Sequence, residues 1–119
     1  MKIVSSFQRF AEACFDALPN SSNFPRRRNL FQNLEESHQI WKDAIGRGYQ
    51  DMLTPGQYDE LNVYFQQRHL LAHQEGIVDQ QYIDRAGDTR FAVGQRLVVT
   101  ESSVLHLAEL VTLLADEIR

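Results

Sequence analysis

The sequence predicts an all-α fold, a compact bundle of about four main helices with a short β-hairpin before the last helix. Three observations predict it. Apolar residues recur at three- and four-residue steps along the long segments. Pro, Gly and small polar residues fall where those segments begin and end. Gly94-Gln95 separates two short runs, Arg90-Phe91-Ala92-Val93 and Arg96-Leu97-Val98-Val99, and a Gly in the first of two loop positions suits a type II′ turn.

The first helix carries Ile3, Phe7, Phe10, Ala11, Cys14, Phe15 and Leu18 on one face, and Pro19-Asn20-Ser21-Ser22-Asn23 stops it. A second helix is expected from near Pro25, capped by Asn23, with Leu30, Phe31, Leu34, Trp41 and Ile45 as its apolar positions. Gly46 and Gly48 end it. This start places Arg26, Arg27 and Arg28 in a first turn, where the helix dipole disfavours cations. The run reads as a solvated face or as a grip on phosphate. The third helix opens at Thr54-Pro55, a cap followed by Pro, and runs to about Gln74, with Gly76 beyond it. A short helical turn over residues 80–84 follows. The last helix, capped by Thr100 or Ser102, carries Val104, Leu107, Ala108, Val111, Leu114, Ala115 and Ile118.

A chain of 119 residues fits a single domain over residues 1–119, alone or within a larger protein. The 43% of hydrophobic residues is enough for a core, so disorder is not expected. The net charge of -4 argues against a domain that holds nucleic acid by its overall field, but it leaves room for a local basic groove. The lone Cys14 cannot form an internal disulfide and reads as packing. No apolar run reaches the ~20 residues of a membrane span, and no signal-peptide pattern opens the chain. A cytoplasmic location and no membrane partner are expected.

The third helix holds the most informative residues. On an ideal helix Leu71, Tyr64, Ala72, Phe65 and Tyr58 fall within roughly 80° of Leu61, which makes that arc the core face. Arg68 falls inside the arc, at about -20°. A buried guanidinium is costly unless something is offered to it: a carboxylate, a carbonyl, a partner subunit or a substrate phosphate. Glu12, Glu35, Glu36 and Asp79 are the candidate structural partners. Beside the arc runs a polar stripe of Asn62, Gln66, His69 and His73, the two histidines being neighbours at four-residue spacing. Val63 and Leu70 form a small apolar ridge, for another helix of the chain or for a second subunit.

Arg68-His69-Leu70-Leu71-Ala72-His73 resembles the signature of HEPN domains: an arginine, usually a polar residue, three further residues and a histidine. It lies near the end of a long helix and runs into Gln74-Glu75-Gly76-Ile77-Val78-Asp79, which is similar to the stretch that follows in some HEPN branches. Val93-Gly94-Gln95-Arg96-Leu97 is also similar to those branches. The resemblance covers residues 26–119 in architecture and 68–97 in sequence detail. It implies a metal-independent endoribonuclease without cofactor, of the toxin–antitoxin or antiviral defence type, working as a homodimer in which two signature helices meet. It also implies Arg68 and His73 as the catalytic pair and His69 in support. The polar stripe adds Asn62 and Gln66, and the arginine run Arg26, Arg27 and Arg28, as substrate-binding candidates. An antitoxin or a larger host protein is the expected regulatory partner. One departure is Glu75, where a well-known toxin subgroup has a tyrosine that a partner nucleotidyltransferase modifies.

The chemistry matches these residue types. RNA brings its own nucleophile, the 2′-OH, and cleavage needs a base, an acid and fixed positive charge. Histidine titrates near neutrality and can serve as base or acid. The planar, always charged fork of arginine fits phosphate oxygens. Two rival readings use the same residues. In one, the domain is a non-catalytic dimerisation or nucleic-acid-binding module. In the other, His69 and His73 chelate a metal with a third ligand from Glu75, Asp79, His38 or His106.

Overall fold

The computed structural model describes residues 2–118. The described chain is helical with no strand, in the order α1 (Lys2–Asp16), two 3₁₀ turns (Ser21–Asn23 and Leu30–Gln32), α2 (Leu34–Ile45), α3 (Tyr49–Met52), α4 (Pro55–His73), α5 (Gln80–Ala86) and α6 (Glu101–Ile118). The all-α class is as the sequence predicts.

One core gathers Val4, Phe7, Ala11 and Phe15 of α1 with Leu107, Leu110, Leu114 and Ile118 of α6. Leu34, Ile40 and Trp41 of α2, Tyr49 of α3 and Leu61, Tyr64 and Phe65 of α4 join it. Aromatic side chains contribute large buried areas at its centre, where Phe15 meets Trp41 edge-on at 5.2 Å. Cys14 packs half-buried against this core. Phe10, placed on the same face by its spacing, stays exposed. A second, smaller cluster joins Leu70 to Val78 and Tyr82.

The two clusters lie on opposite sides of α4, because Leu61 and Leu70 are nine residues and hence about 180° apart. This corrects the expected core arc of α4 at its C-terminal end, and it meets the separate Leu70 ridge with another helix of the same chain. Leu71 and Ala72 are exposed, while Leu70 is 1% exposed and covered by its own chain. The last turn of α4 leaves the main core and packs on α5 instead.

Helix α2 begins at Leu34, not near Pro25. Asn33 caps it by accepting the backbone N–H of Glu36 at 2.9 Å, and Glu35 and Glu36 occupy its first turn. Acidic residues there suit the helix dipole, whereas a start at Pro25 would have set three cations in that place. Leu30 and Phe31 reach the core from the second 3₁₀ turn. Between α2 and α4 the sequence reading missed α3, which follows a tight approach of Gly48 to His38. Helix α4 starts as expected, with Thr54 accepting the N–H of Gln57. Glu75 and Gly76 then take left-handed conformations (φ 55° and 75°) that turn the chain sharply. Helix α6 is capped by Thr100, which accepts the N–H of Ser103 at 3.2 Å.

The expected β-hairpin is absent. The turn is 92–95, closed by Gln95 N–H donating to Ala92 O, so Gly94 (φ 91°) sits at the third turn position and not the second. Glycine suits either place, because both demand positive φ. The flanking runs do not pair with each other. Val78 N–H donates to Gln95 O, Gly94 N–H to Val78 O and Leu97 N–H to Gly76 O. The loop therefore satisfies its backbone against the segment that ends α4, through one antiparallel bridge between Ile77 and Arg96.

Candidate functional site

Helix α4, the arginine segment before α2 and the end of α5 enclose a polar trench made of three adjoining pockets. The first, of about 290 Å³, lies between α1, residues 28–32 and α4, and its walls include Ser5, Gln8, Arg9, Glu12, Arg28 and Arg68. The second, of about 320 Å³, is lined by Arg27, Gln66, His69, His73 and Arg85, and shares Asn29 and Gln32 with the first. The third, of about 430 Å³, shares Asn33, Gln66 and Arg85 with the second and adds Asn62, Tyr58 and Gln50.

The predicted polar stripe is thus one face of one trench. Asn62 is held by donating to Arg85 O at 2.8 Å, and Gln66 by donating to Asn62 Oδ1 at 3.4 Å. The His69 and His73 rings lie 4.8 Å apart. The His69 pKa is lowered, first by partial burial, then by the positive fields of His73, Arg85 and Arg68, with Asp79 opposing. A neutral imidazole is the form that can accept a proton.

Arg68 is half-buried, and the group offered to it is not a carboxylate. Its Nε donates to Ser5 Oγ of α1 at 3.2 Å. Among the described residues Arg9, Arg28, Arg68 and Arg85 form no ion pair with a carboxylate. Only Glu12 and Glu35 bring acid to the trench walls. A chain with a net charge of -4 therefore concentrates positive charge in one groove.

The arginine run divides into three roles. Arg26 is turned away, pairing with Asp16 at 2.8 Å and lying over the Phe15 and Phe31 rings at 5.8 and 5.3 Å. It lines none of the three pockets, and its contacts in this structure are with Asp16, Glu12 and the two rings. Arg27 reaches the second pocket but is neutralised by Glu36, which holds the Arg27 pKa up and is itself held down. Arg28 is exposed, unpaired, and lines the first pocket.

Arg68 and His73 line neighbouring pockets, not a common one. A single chain therefore sets the arginine beside Arg9 and Arg28, and the histidines beside Arg27 and Arg85. Sequence reasoning missed Arg9 and Arg85. The first had a signal, since Ser5, Gln8, Arg9 and Glu12 follow helical spacing on one polar face of α1. Arg85 had none, because it enters through the packing of α5 on α4.

Three of the four candidate third metal ligands have other partners. His38 is buried and accepts the Gln50 N–H at 3.1 Å, His106 pairs with Glu60, and Asp79 caps α5. Among the described residues no group of three or more His, Cys, Asp and Glu side chains converges. No described helix is long and apolar enough to cross a membrane. Comparison with protein-family models, curated proteins and solved structures finds no match for this chain.

Proposed function

We propose that this domain is a metal-independent endoribonuclease of the HEPN type, cutting RNA by attack of the substrate's own 2′-OH. The observation that carries the reading is the trench, where a close histidine pair shares a pocket with Arg85 and adjoins one walled by Arg9, Arg28 and Arg68, four arginines without a carboxylate partner among the described residues. Such a groove attracts a phosphate backbone in spite of the acidic surface elsewhere. In the reaction the 2′-oxygen bonds to phosphorus as its proton passes to a histidine. The bond to the 5′-oxygen breaks as that oxygen takes a proton. His73 moves the protons, His69 orients or assists, and Arg68 stabilises the charge on phosphorus. Because Arg68 and His73 of one chain open on adjoining pockets, a two-fold dimer through α4 would bring a second copy of each to the same strand. An antitoxin or a larger host protein would restrain the activity in the cytoplasm.

RNA cleavage in EDTA tests the proposal, with wild type compared to Arg68→Ala and His73→Ala. The expected products are a 2′,3′-cyclic phosphate and a 5′-hydroxyl, and each variant should lose about 10²–10⁴ in rate while remaining folded. Strict metal dependence or 3′-hydroxyl ends would overturn it.

A second reading is favoured by the same separation of Arg68 from His73. In it the trench binds RNA without cutting it, and Arg68 serves binding and the α1–α4 contact. Binding without cleavage by a folded wild type, monomer or dimer, would establish this module.

A further inference from the structure

We infer that the first pocket, between α1 and residues 28–32, is a subsite for a backbone phosphate of the RNA strand that lies in the histidine pocket. The inference rests on the proposed RNA substrate. Three guanidiniums, Arg9, Arg28 and Arg68, contribute to its walls against one carboxylate, Glu12. That carboxylate is drawn toward Arg26 at 3.9 Å. Arg68 uses Nε on Ser5 and has no protein acceptor for its Nη groups among the described residues. The planar fork of an arginine so placed suits two phosphate oxygens.

An independent observation points the same way. Gln8 is in the pocket wall, is only 5% exposed, and its Nε2 has no hydrogen-bond partner. A buried amide donor left unmatched is costly and uncommon. That nitrogen is itself shielded, so a small rotation of the Gln8 amide toward the pocket it lines gives the donor a phosphate oxygen as its acceptor. The volume of about 290 Å³ greatly exceeds the ~30 Å³ share of one water and admits a phosphate with its ester oxygens. The shared residues Asn29 and Gln32 make this pocket continuous with the one that holds His69 and His73, so one strand can occupy both.

Two probes test it on the full chain. The first is inorganic phosphate, followed by the side-chain amide NMR signals of Gln8. The second is a single-stranded 2′-O-methyl RNA, which cannot be cut, with binding measured at several salt concentrations. Wild type should show shifted Gln8 signals with phosphate. The exposed double variant Arg9→Ala/Arg28→Ala should lose the shift and bind the oligonucleotide about tenfold less tightly. Its salt slope should fall by roughly 0.7 for each phosphate contact removed. Glu12→Gln should bind more tightly than wild type. RNA binding and salt slope left unchanged by the double variant, in a protein that does cut RNA, would overturn the subsite and leave the nuclease reading intact. A Gln8 response to phosphate that needs Arg9 and Arg28, in a protein that neither binds nor cuts RNA, would instead assign the pocket to a small phosphoester and overturn the RNA strand.

Discussion

Arg68 of α4 donates its Nε to the Ser5 hydroxyl of α1 at 3.2 Å, a contact between residues 63 apart in the chain. One neutral acceptor fixes the guanidinium while leaving its charge intact. A carboxylate in that place would have cancelled the charge that the trench offers to phosphate.

Ser5→Ala therefore separates positioning from folding. The bond contributes about 1 kcal/mol net to stability, so the melting temperature should move by only a few degrees. RNA cleavage should slow several-fold through a freer Arg68, and Ser5→Thr should restore it. Unchanged kinetics in Ser5→Ala would show that the contact is structural alone.

His69 should titrate below the ordinary imidazole value of 6.5, because partial burial and then His73, Arg85 and Arg68 disfavour its charged form. Ring-proton NMR across pH 4–9 would read this directly. Arg85→Ala should move the midpoint upward, and the acidic limb of kcat/KM should follow if His69 takes part in proton transfer. A His69 midpoint above 6.5 in the wild type would contradict the electrostatics of the trench.

Asp88 anchors the loop beyond α5. Its carboxylate, 3% exposed, accepts Tyr82 Oη–H at 2.6 Å and Arg90 Nε–H at 2.9 Å. Gln67 of α4 donates to the same Tyr82 hydroxyl at 3.3 Å. The Arg90 bonds, ahead of that from Tyr82, hold the Asp88 pKa down at about 2, against a burial effect that raises it. A depressed folded-state pKa adds stability that is present above 3.8 and is lost as the pH falls toward about 2. The amount is up to about 2 kcal/mol, trimmed because Arg90 is solvent-exposed. Asp88→Asn should be less stable than wild type at pH 7 and should lose less between pH 4 and 2. Urea melts at pH 7, 4 and 2.5 would show this, and parallel losses in both proteins would refute it.

Gly48 is fixed by sterics rather than by its backbone angle, since its φ of -108° suits any residue. A Cβ there would collide with the His38 ring and with the His38 carbonyl oxygen. The ring could swing aside, but the carbonyl belongs to α2. Gly48→Ala should cost about 3 kcal/mol in chemical denaturation. A loss below about 0.5 kcal/mol, the range of ordinary surface substitutions, would mean that α2 and α3 can separate freely.

What the sequence determined by itself is local. Four long helices, the Thr54 cap, a cap at Thr100 or Ser102, the short helix after Asp79 and the common face of Asn62, Gln66, His69 and His73 all follow from spacings of a few residues. Helical period and capping act over one or two turns, so neighbouring residues suffice to read them. What only the tertiary structure decided depends on distant partners. Residues 94–97 could have paired across their own turn, yet they bond to Gly76 and Val78, which the end of α4 brings beside them. The spacing left Leu70 open to another helix of the chain or to a second subunit, and it is α5 that covers it. The three consecutive arginines are alike in sequence and differ in role, because Asp16 reaches Arg26, Glu36 reaches Arg27, and no carboxylate among the described residues reaches Arg28. A cation's availability is set by whichever acid the fold delivers within about 4 Å, and no local pattern encodes that distance.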